Sequence, residues 1–448
     1  MRLIPVLAVA ALVAACASPS PVARVTPAPS GSVFPGSVFP GADWERVADP
    51  AAAGWSREGL DSVRATVSRM NTTAMMVVEH GRVVFEYGDL TRLSYLASVR
   101  KSVLSMLYGI EIARGKVDTS RTLRALGIDD LGGLLPTELD ATVQDLLSAK
   151  SGVYHPASNA GDNLADAPPR GSQQHGTYQL YSNWDFNAVG AIFEQQTGRN
   201  IYDAVEQEIA RPIGMQEWRR DLQQKSGDTT ASKYKAYHMY FSTRDMARIG
   251  YLMLRGGAWN GTQIVPAGWV RKSTSAITPV SQMHPASMRR GRFGYGYLWW
   301  PFDGAWNTGA YEGAYSGIGA VGQYITVIPR LDLVIAHKTE PRAGSNGVNH
   351  PQFWTLVDKI VAARTGAAPQ PGKSSVLAYD VLVRNGTVLD GTGAAGVRAD
   401  VAIVGNRIVR VSSTPLDPAD AARVIDASGL IVAPGFIDLH THLEPLLQ

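Results

Sequence analysis

Between Ala74 and Gly115 the hydrophobic pattern changes its period, and that change narrows what the chain can fold into. Ala74 to Tyr87 reads as two strands around a His80-Gly81 turn, and the segment after them ends in Leu96-Ala97-Ser98. From there Val99, Val103, Met106, Leu107 and Ile110 fall at i, i+4, i+7, i+8 and i+11, the stripe of a buried amphipathic helix running to about Arg114-Gly115. A core helix fed by a strand pair needs a large body around it. The 448 residues supply one: 45% are hydrophobic and 18% charged, which excludes a disordered or collagen-like chain and predicts one large body with appendages. Lys plus Arg number 42 against 39 Asp plus Glu, and a net charge of +3 lacks the basic excess on which nucleic-acid binding draws.

Cys16 is the only cysteine, which excludes an intramolecular disulfide, a Cys-x-x-Cys zinc site and a cysteine nucleophile deep in the fold. Chemistry therefore falls to oxygen, nitrogen or a metal site without thiolates. Upstream of Cys16, Leu3 to Ala15 is apolar apart from Pro5, and these 13 residues are too few to span a bilayer. They read as a signal-peptide core. The ending Val13-Ala14-Ala15-Cys16 resembles the lipobox of bacterial lipoproteins, which implies a diacylglycerol on Cys16 and stable membrane anchoring through two acyl chains. Ala17 and Ser18 follow the cysteine rather than Asp, which resembles the outer-membrane class, so the expected location is the bacterial envelope, facing the periplasm. Residues 17–44 are rich in Pro, Ser, Ala and Gly, with the tandem repeat Gly31-Ser-Val-Phe-Pro35 and Gly36-Ser-Val-Phe-Pro40, and read as a flexible tether.

Ser98 opens the Val99 helix, and Lys101 lies three residues on, on the same face. A serine hydroxyl is a poor nucleophile until a base takes its proton, and one helical turn brings a lysine amine within reach. Partial burial and the positive end of the helix both lower a lysine pKa toward neutrality. By itself the pair reads equally as a capping serine beside a solvated lysine. Tyr181-Ser182-Asn183 precedes the helical run Trp184 to Thr197, which Gly198 ends. A tyrosine there can relay a proton, and the asparagine amide can bond a substrate carbonyl or the lysine; the alternative is a core tyrosine beside an Asn cap. Tyr315 to Gln323 is a glycine-rich entry to the strand Tyr324 to Ile328, suited either to close approach of backbone NH groups to a substrate or to packing alone.

The order Ser98-x-x-Lys101, Tyr181-x-Asn183, glycine-rich strand resembles the serine hydrolases of the class C β-lactamase and penicillin-recognising family, and Leu146 to Gly152, Pro212 to Met215 and Ser242 to Arg248 extend the resemblance over about 320 residues. It implies a β-lactamase-like transpeptidase fold: an α/β domain, an antiparallel sheet flanked by helices, joined to an all-α domain, with the site in the cleft between them. It also implies that Ser98 is acylated, that Lys101 and Tyr181 are general bases and that Asn183 contacts substrate. The oxyanion hole would be the NH of Ser98 with one from Gly317 to Gly319, best Ile318. No cofactor or metal is implied.

One departure shifts the expected substrate. β-Lactamases and D,D-peptidases of this family carry Lys-Thr-Gly or His-Thr-Gly on that strand, whose cation helps hold a substrate carboxylate. Here the strand offers Tyr315-Ser316-Gly317 or Gly317-Ile318-Gly319, and Lys338-Thr339 runs into Glu340 beyond it. The pattern looks closer to the esterase and 6-aminohexanoate-oligomer hydrolase branch, which favours small esters or linear amides. His238 could line the cleft or be structural, and no Gly-x-Ser-x-Gly elbow occurs, which disfavours an α/β-hydrolase.

The resulting division is a signal peptide (1–15), a tether (16–44), a hydrolase domain (45–365), a linker (366–375) and a small β-rich fragment (376–448). In the last, short strands with turns at Asn385-Gly386 and Gly405-Asn406 predict a β-meander. Gly391-Thr-Gly-Ala-Ala-Gly396 matches Gly-x-Gly-x-x-Gly but precedes a strand, not a helix, so a dinucleotide site is rejected. Ala433 to His442 resembles the start of metal-dependent amidohydrolases such as D-aminoacylases, His440 and His442 pointing to one side of a strand. Six residues follow His442, whereas a (β/α)₈ barrel takes about 250, so the segment is expected to be a remnant without a working metal site. The rivals to a serine hydrolase of small esters or amides are therefore a β-lactamase or D,D-peptidase, a non-catalytic penicillin-recognising module, and a metal-dependent amidohydrolase.

Overall fold

The computed structural model describes residues 38–340, 347–365, 379–404, 407–418 and 421–434. The readings made on Cys16, on the linker and on His440 and His442 fall outside them. The hairpin forms as the sequence predicts, with β1 (Thr72–Glu79) and β2 (Arg82–Gly88) joined through His80 and Gly81, whose φ values of 52° and 80° suit a tight hairpin turn. β3 (Ser94–Tyr95) pairs with β4 (Tyr240–Phe241) as a separate ribbon. The main sheet is completed by β5 (Trp300–Pro301), β6 (Tyr315–Gly319), β7 (Gln323–Ile328) and β8 (Leu333–Thr339), in the antiparallel order β2-β1-β8-β7-β6-β5.

Both faces of this sheet are covered, which explains why Ala74-Met-Met-Val-Val reads as an unbroken apolar run. Met75 and Val77 enter one core with Val63 and Val67 of α1 (Arg57–Val67). Phe353, Val357 and Ile360 of the last helix of this body (His350–Thr365) belong to the same core. Met76 and Val78 enter the other core with Val99, Val103 and Leu107 of α2 (Val99–Ala113). That second core continues through Phe186, Val189 and Phe193 of α3 (Asn183–Thr197) and Met246, Ile249 and Leu252 of α4 (Thr243–Leu254). The short helices Leu123–Leu126, Val143–Leu147 and Ile201–Val205 fill out the helical region around α2 and α3.

The sequence division is refined at the body's N-terminal edge. Residues 38–44, read as tether, are packed onto the body: the Val38 carbonyl accepts from the Tyr251 hydroxyl at 2.8 Å, the Gly41 carbonyl from Arg248 at 2.8 Å, and Trp44 is buried in the core.

The C-terminal segment has a sheet of its own with a small core of Leu382, Ala402, Leu416 and Ala421. Its strands Tyr379–Val388, Val397–Val404 and Arg407–Ser412 form the expected antiparallel meander. Two features differ from the sequence reading. Asn385-Gly386 is a bulge inside one continuous strand, with Asn385 at φ 62° and a register shift between Val383 and Gly386, because Arg384 and Thr387 also bond strands on the other side. Ala421–Asp426 and Ile431–Val432 then pair with that strand in parallel, so the sheet is mixed. Gly391 to Gly396 lies in the loop before a strand, as the sequence reads it.

Candidate active site

The Ser98 turn is made by a sharp change of direction. Leu96 N donates to Met239 O at 2.9 Å, extending the ribbon, and Ala97 then takes φ 48°, a left-handed conformation that costs a non-glycine residue strain. Ser98 follows at the N-cap of α2, yet its side chain makes no capping bond. The capping-serine alternative is thereby removed. Ser98 is partly exposed, while Lys101 is 2% exposed and lies behind it.

Lys101 Nζ sits 3.0 Å from Ser98 Oγ, 2.5 Å from the Tyr181 hydroxyl and 2.7 Å from Asn183 Oδ1. The rings of Tyr181 and Phe186 lie 4.2 and 4.3 Å from the same nitrogen, closing it off from water. Burial, and after it the charge of the neighbouring Arg100, hold Lys101 well below the ordinary lysine range, against a smaller opposing pull from Asp162. Burial pushes Tyr181 up to about 12, its contact with Ser98 pulling the other way. At that value Tyr181 keeps its proton at neutral pH.

Ser182, not Asn183, caps α3, accepting from Asp185 N. Both ends of the Asn183 amide are engaged: Oδ1 accepts from Lys101, and Nδ2 donates to Ala160 O at 3.0 Å. Of the two partners the sequence left open, substrate carbonyl and lysine, the structure has the lysine. Asp162 stands on the loop beside this pair and accepts from Asn183 N at 2.9 Å.

The glycine-rich segment is itself a strand, β6, not merely the approach to one. It lies against the start of α2: a Cβ at Gly319 would come within 2.8 Å of Leu96 O and 3.1 Å of Ala97 Cβ, and one at Gly317 within 3.1 Å of Ser102 Oγ. Phe302 N donates to Ala314 O, so along the pleat Ala314, Ser316 and Ile318 direct their backbone groups to the β5 side. β5 pairing stops at Ser316, so the Ile318 amide lies past the last residue of β6 that pairs with β5.

The cations that the sequence left unplaced are committed elsewhere. Lys338 is buried and donates to the carbonyls of Ser94 and Phe241, both at 2.7 Å, tying β8 to the β3–β4 ribbon four residues ahead of Ser98; burial lowers its pKa to about 7. Arg244 is paired with Glu217. Tyr315 is buried against Trp299. His238, half-buried, bonds the Tyr95 hydroxyl through Nδ1 at 3.0 Å. Sequence reasoning missed Arg100, Asp162 and the clamp at Lys338. Among the described residues no group of three or more His, Cys, Asp or Glu side chains could hold a metal ion, and no helix is long and apolar enough to cross a membrane.

An antiparallel sheet flanked by helices, with a Ser-x-x-Lys helix lying against its glycine-rich strand, defines the β-lactamase-like fold. The Beta-lactamase family model matches residues 61–340, and the chain belongs to that family. Its fold is similar to that of a Bacillus anthracis protein assigned as a 6-aminohexanoate-dimer hydrolase, at 20% identity and a TM-score of 0.53 over 68% of this chain and 83% of that one. It is similar also to the octameric penicillin-binding protein homologue of Pyrococcus abyssi, at 16% identity and a TM-score of 0.51 over 70% of this chain and 78% of that one. A class C beta-lactamase gives 13% identity and 0.51 over 72% and 99%. A separate likeness is 47% identity over 64 residues to the D-aminoacylase of Alcaligenes xylosoxydans xylosoxydans, 14% of this chain. The chain spans only 13% of that relative's length.

Proposed function

We propose that the chain is a serine hydrolase that cleaves a small ester or linear amide through an acyl-enzyme at Ser98. The observation that carries this is the convergence of Ser98, Tyr181 and Asn183 on the buried Lys101 amine. Neutral Lys101 takes the Ser98 proton as Oγ attacks the substrate carbonyl carbon. The oxyanion is held by the NH groups of Ser98 and Ile318, with Gly317 keeping β6 close to α2. As the carbonyl reforms, the bond to the leaving group breaks and the proton passes from Lys101 through the Tyr181 hydroxyl to the departing alcohol or amine. Water then attacks the acyl-Ser98 ester by the same route in reverse. Asn183 orients Lys101 throughout.

The committed state of Lys338 and Arg244 favours esters and neutral amides over β-lactams, whose carboxylate finds no free cation on β6. The protein is further proposed to reside in the bacterial envelope, attached through a diacylglycerol on Cys16. The test of function is turnover of p-nitrophenyl butyrate, nitrocefin, a D-Ala-D-Ala peptide and an aminohexanoate dimer by wild type and Ser98→Ala. Turnover of at least one by wild type and of none by Ser98→Ala is expected; equal rates in both refute the mechanism.

A further inference from the structure

The residue just before the base position is an arginine, and it is buried. Arg100 is 1% exposed; its Nη2 donates to Asn187 Oδ1 at 3.3 Å, its guanidinium lies over the Tyr237 ring at 4.8 Å, and its Nε has no partner. Among the described residues its hydrogen bond goes to an amide rather than a carboxylate. A charge buried without a counter-ion is costly to the fold. Its surroundings repeat those of Lys101 one helical turn along α3. Asn183 accepts from Lys101 and donates to Ala160 O; Asn187 accepts from Arg100 and donates to Asn159 Oδ1 at 2.8 Å. Two adjacent cations of α2 are thus each held by an asparagine of α3, and both asparagines are fixed by the same loop.

We infer that Arg100 is a positioning residue that acts through Lys101, its uncompensated guanidinium keeping the neighbouring amine in the neutral, proton-accepting form. The inference rests on the proposed roles of Ser98 and Lys101. A cation beside a buried amine disfavours a second positive charge, and burial removes the water that would screen it. Burial is the larger cause of the low pKa of Lys101, and the guanidinium charge adds to it in the same direction. Around Lys101, its own helix presents Ser98 and Arg100, α3 and the residue before it present Tyr181, Asn183 and Phe186, and β6 presents uncharged residues only. The one opposing charge is Asp162, whose carboxylate is already engaged by the amides of Asn183 and Leu164.

The test is the pH dependence of kcat/KM for p-nitrophenyl butyrate in the full chain, compared among wild type, Arg100→Met, Arg100→Lys and Asn187→Asp. Without the guanidinium charge Lys101 binds its proton more tightly, so the acid limb moves to higher pH. An upward displacement beyond the error of the fit is expected in Arg100→Met and in Asn187→Asp, which sets a carboxylate against the intact guanidinium. Arg100→Lys keeps the charge and keeps the acid limb of wild type. An acid limb unmoved in the Met and Asp variants, or moved equally in the Lys variant, overturns the inference; should Arg100→Met not fold, Asn187→Asp decides. Ser98→Ala in the same assay separates the two claims. Turnover retained there refutes the acyl-enzyme itself, whereas its loss together with an unmoved acid limb refutes only the role of Arg100.

Discussion

Lys101 Nζ lies 2.5 Å from the hydroxyl of Tyr181, a contact between residues 80 positions apart that joins the first turn of α2 to the start of α3. Ser98→Ala and Lys101→Ala are each expected to remove nearly all turnover while the thermal transition persists, because groups acting as a unit lose their effect together. Tyr181→Phe keeps the ring that covers Lys101 and loses only the relay, so its cost is expected to be smaller, on the order of 10² to 10⁴ in kcat/KM.

The pH profile follows from the two perturbed groups. Lys101 must be neutral to accept a proton, and its lowered pKa means that activity rises with pH through an acid limb well below the ordinary lysine range. Tyr181, pushed up to about 12, stays protonated, so no alkaline limb from this phenol is expected below about pH 10. Initial rates across that range, corrected for spontaneous hydrolysis, check both limbs.

Lys338 predicts a stability change of definite sign. Its folded pKa of about 7 lies below the unfolded value of 10.5, so above 7 the unfolded chain binds more protons and stability from this group grows toward 10.5. As pH falls through 7 the contribution is lost. Urea titrations of wild type and Lys338→Met should therefore differ in slope, with the wild type gaining more stability than the variant between about pH 7 and 10. Equal slopes would show that Lys338 does not titrate with folding.

Close packing of β6 on α2 makes Gly319 sensitive. A methyl group there meets the Leu96 carbonyl at 2.8 Å, which is backbone and cannot swing aside. Gly319→Ala is expected to push β6 from Ser98 and lower kcat by roughly 10² to 10³, the worth of one oxyanion donor. Its KM should change little.

Much of this site was legible in the sequence because its parts sit at element boundaries. The stripe Val99 to Ile110 put Ser98 and Lys101 on one helix face, and Gly198 at the end of a helical run put Tyr181 at its start. What the sequence hid depends on distant partners. Nothing local to Arg100 announces Asn187 and Tyr237, and nothing near Lys338 announces the carbonyls of Ser94 and Phe241. Residues 38–44 have the composition of a tether, and partners far along the chain, Arg248 and Tyr251 among them, make them part of the body. The parallel strands added to the C-terminal meander were hidden for the same reason.

That C-terminal sheet has its own core, and every residue placed in the site precedes it. Deleting residues 376–448 is therefore expected to leave Ser98-dependent turnover within a few-fold. Leu430 and Ile431, exposed at 59% and 68%, would go with it, so the shortened chain should also resist aggregation better, as light scattering can measure.

The acyl-enzyme is the central claim, and it can be seen directly. Wild type mixed with excess p-nitrophenyl butyrate, quenched within the first turnovers and digested, should yield a peptide carrying one butyryl group on Ser98, with a matching burst of p-nitrophenol. Ser98→Ala should give neither. Wild type that turns over the ester with no burst and no adduct on Ser98, or Ser98→Ala that hydrolyses it at the wild-type rate, would contradict the account.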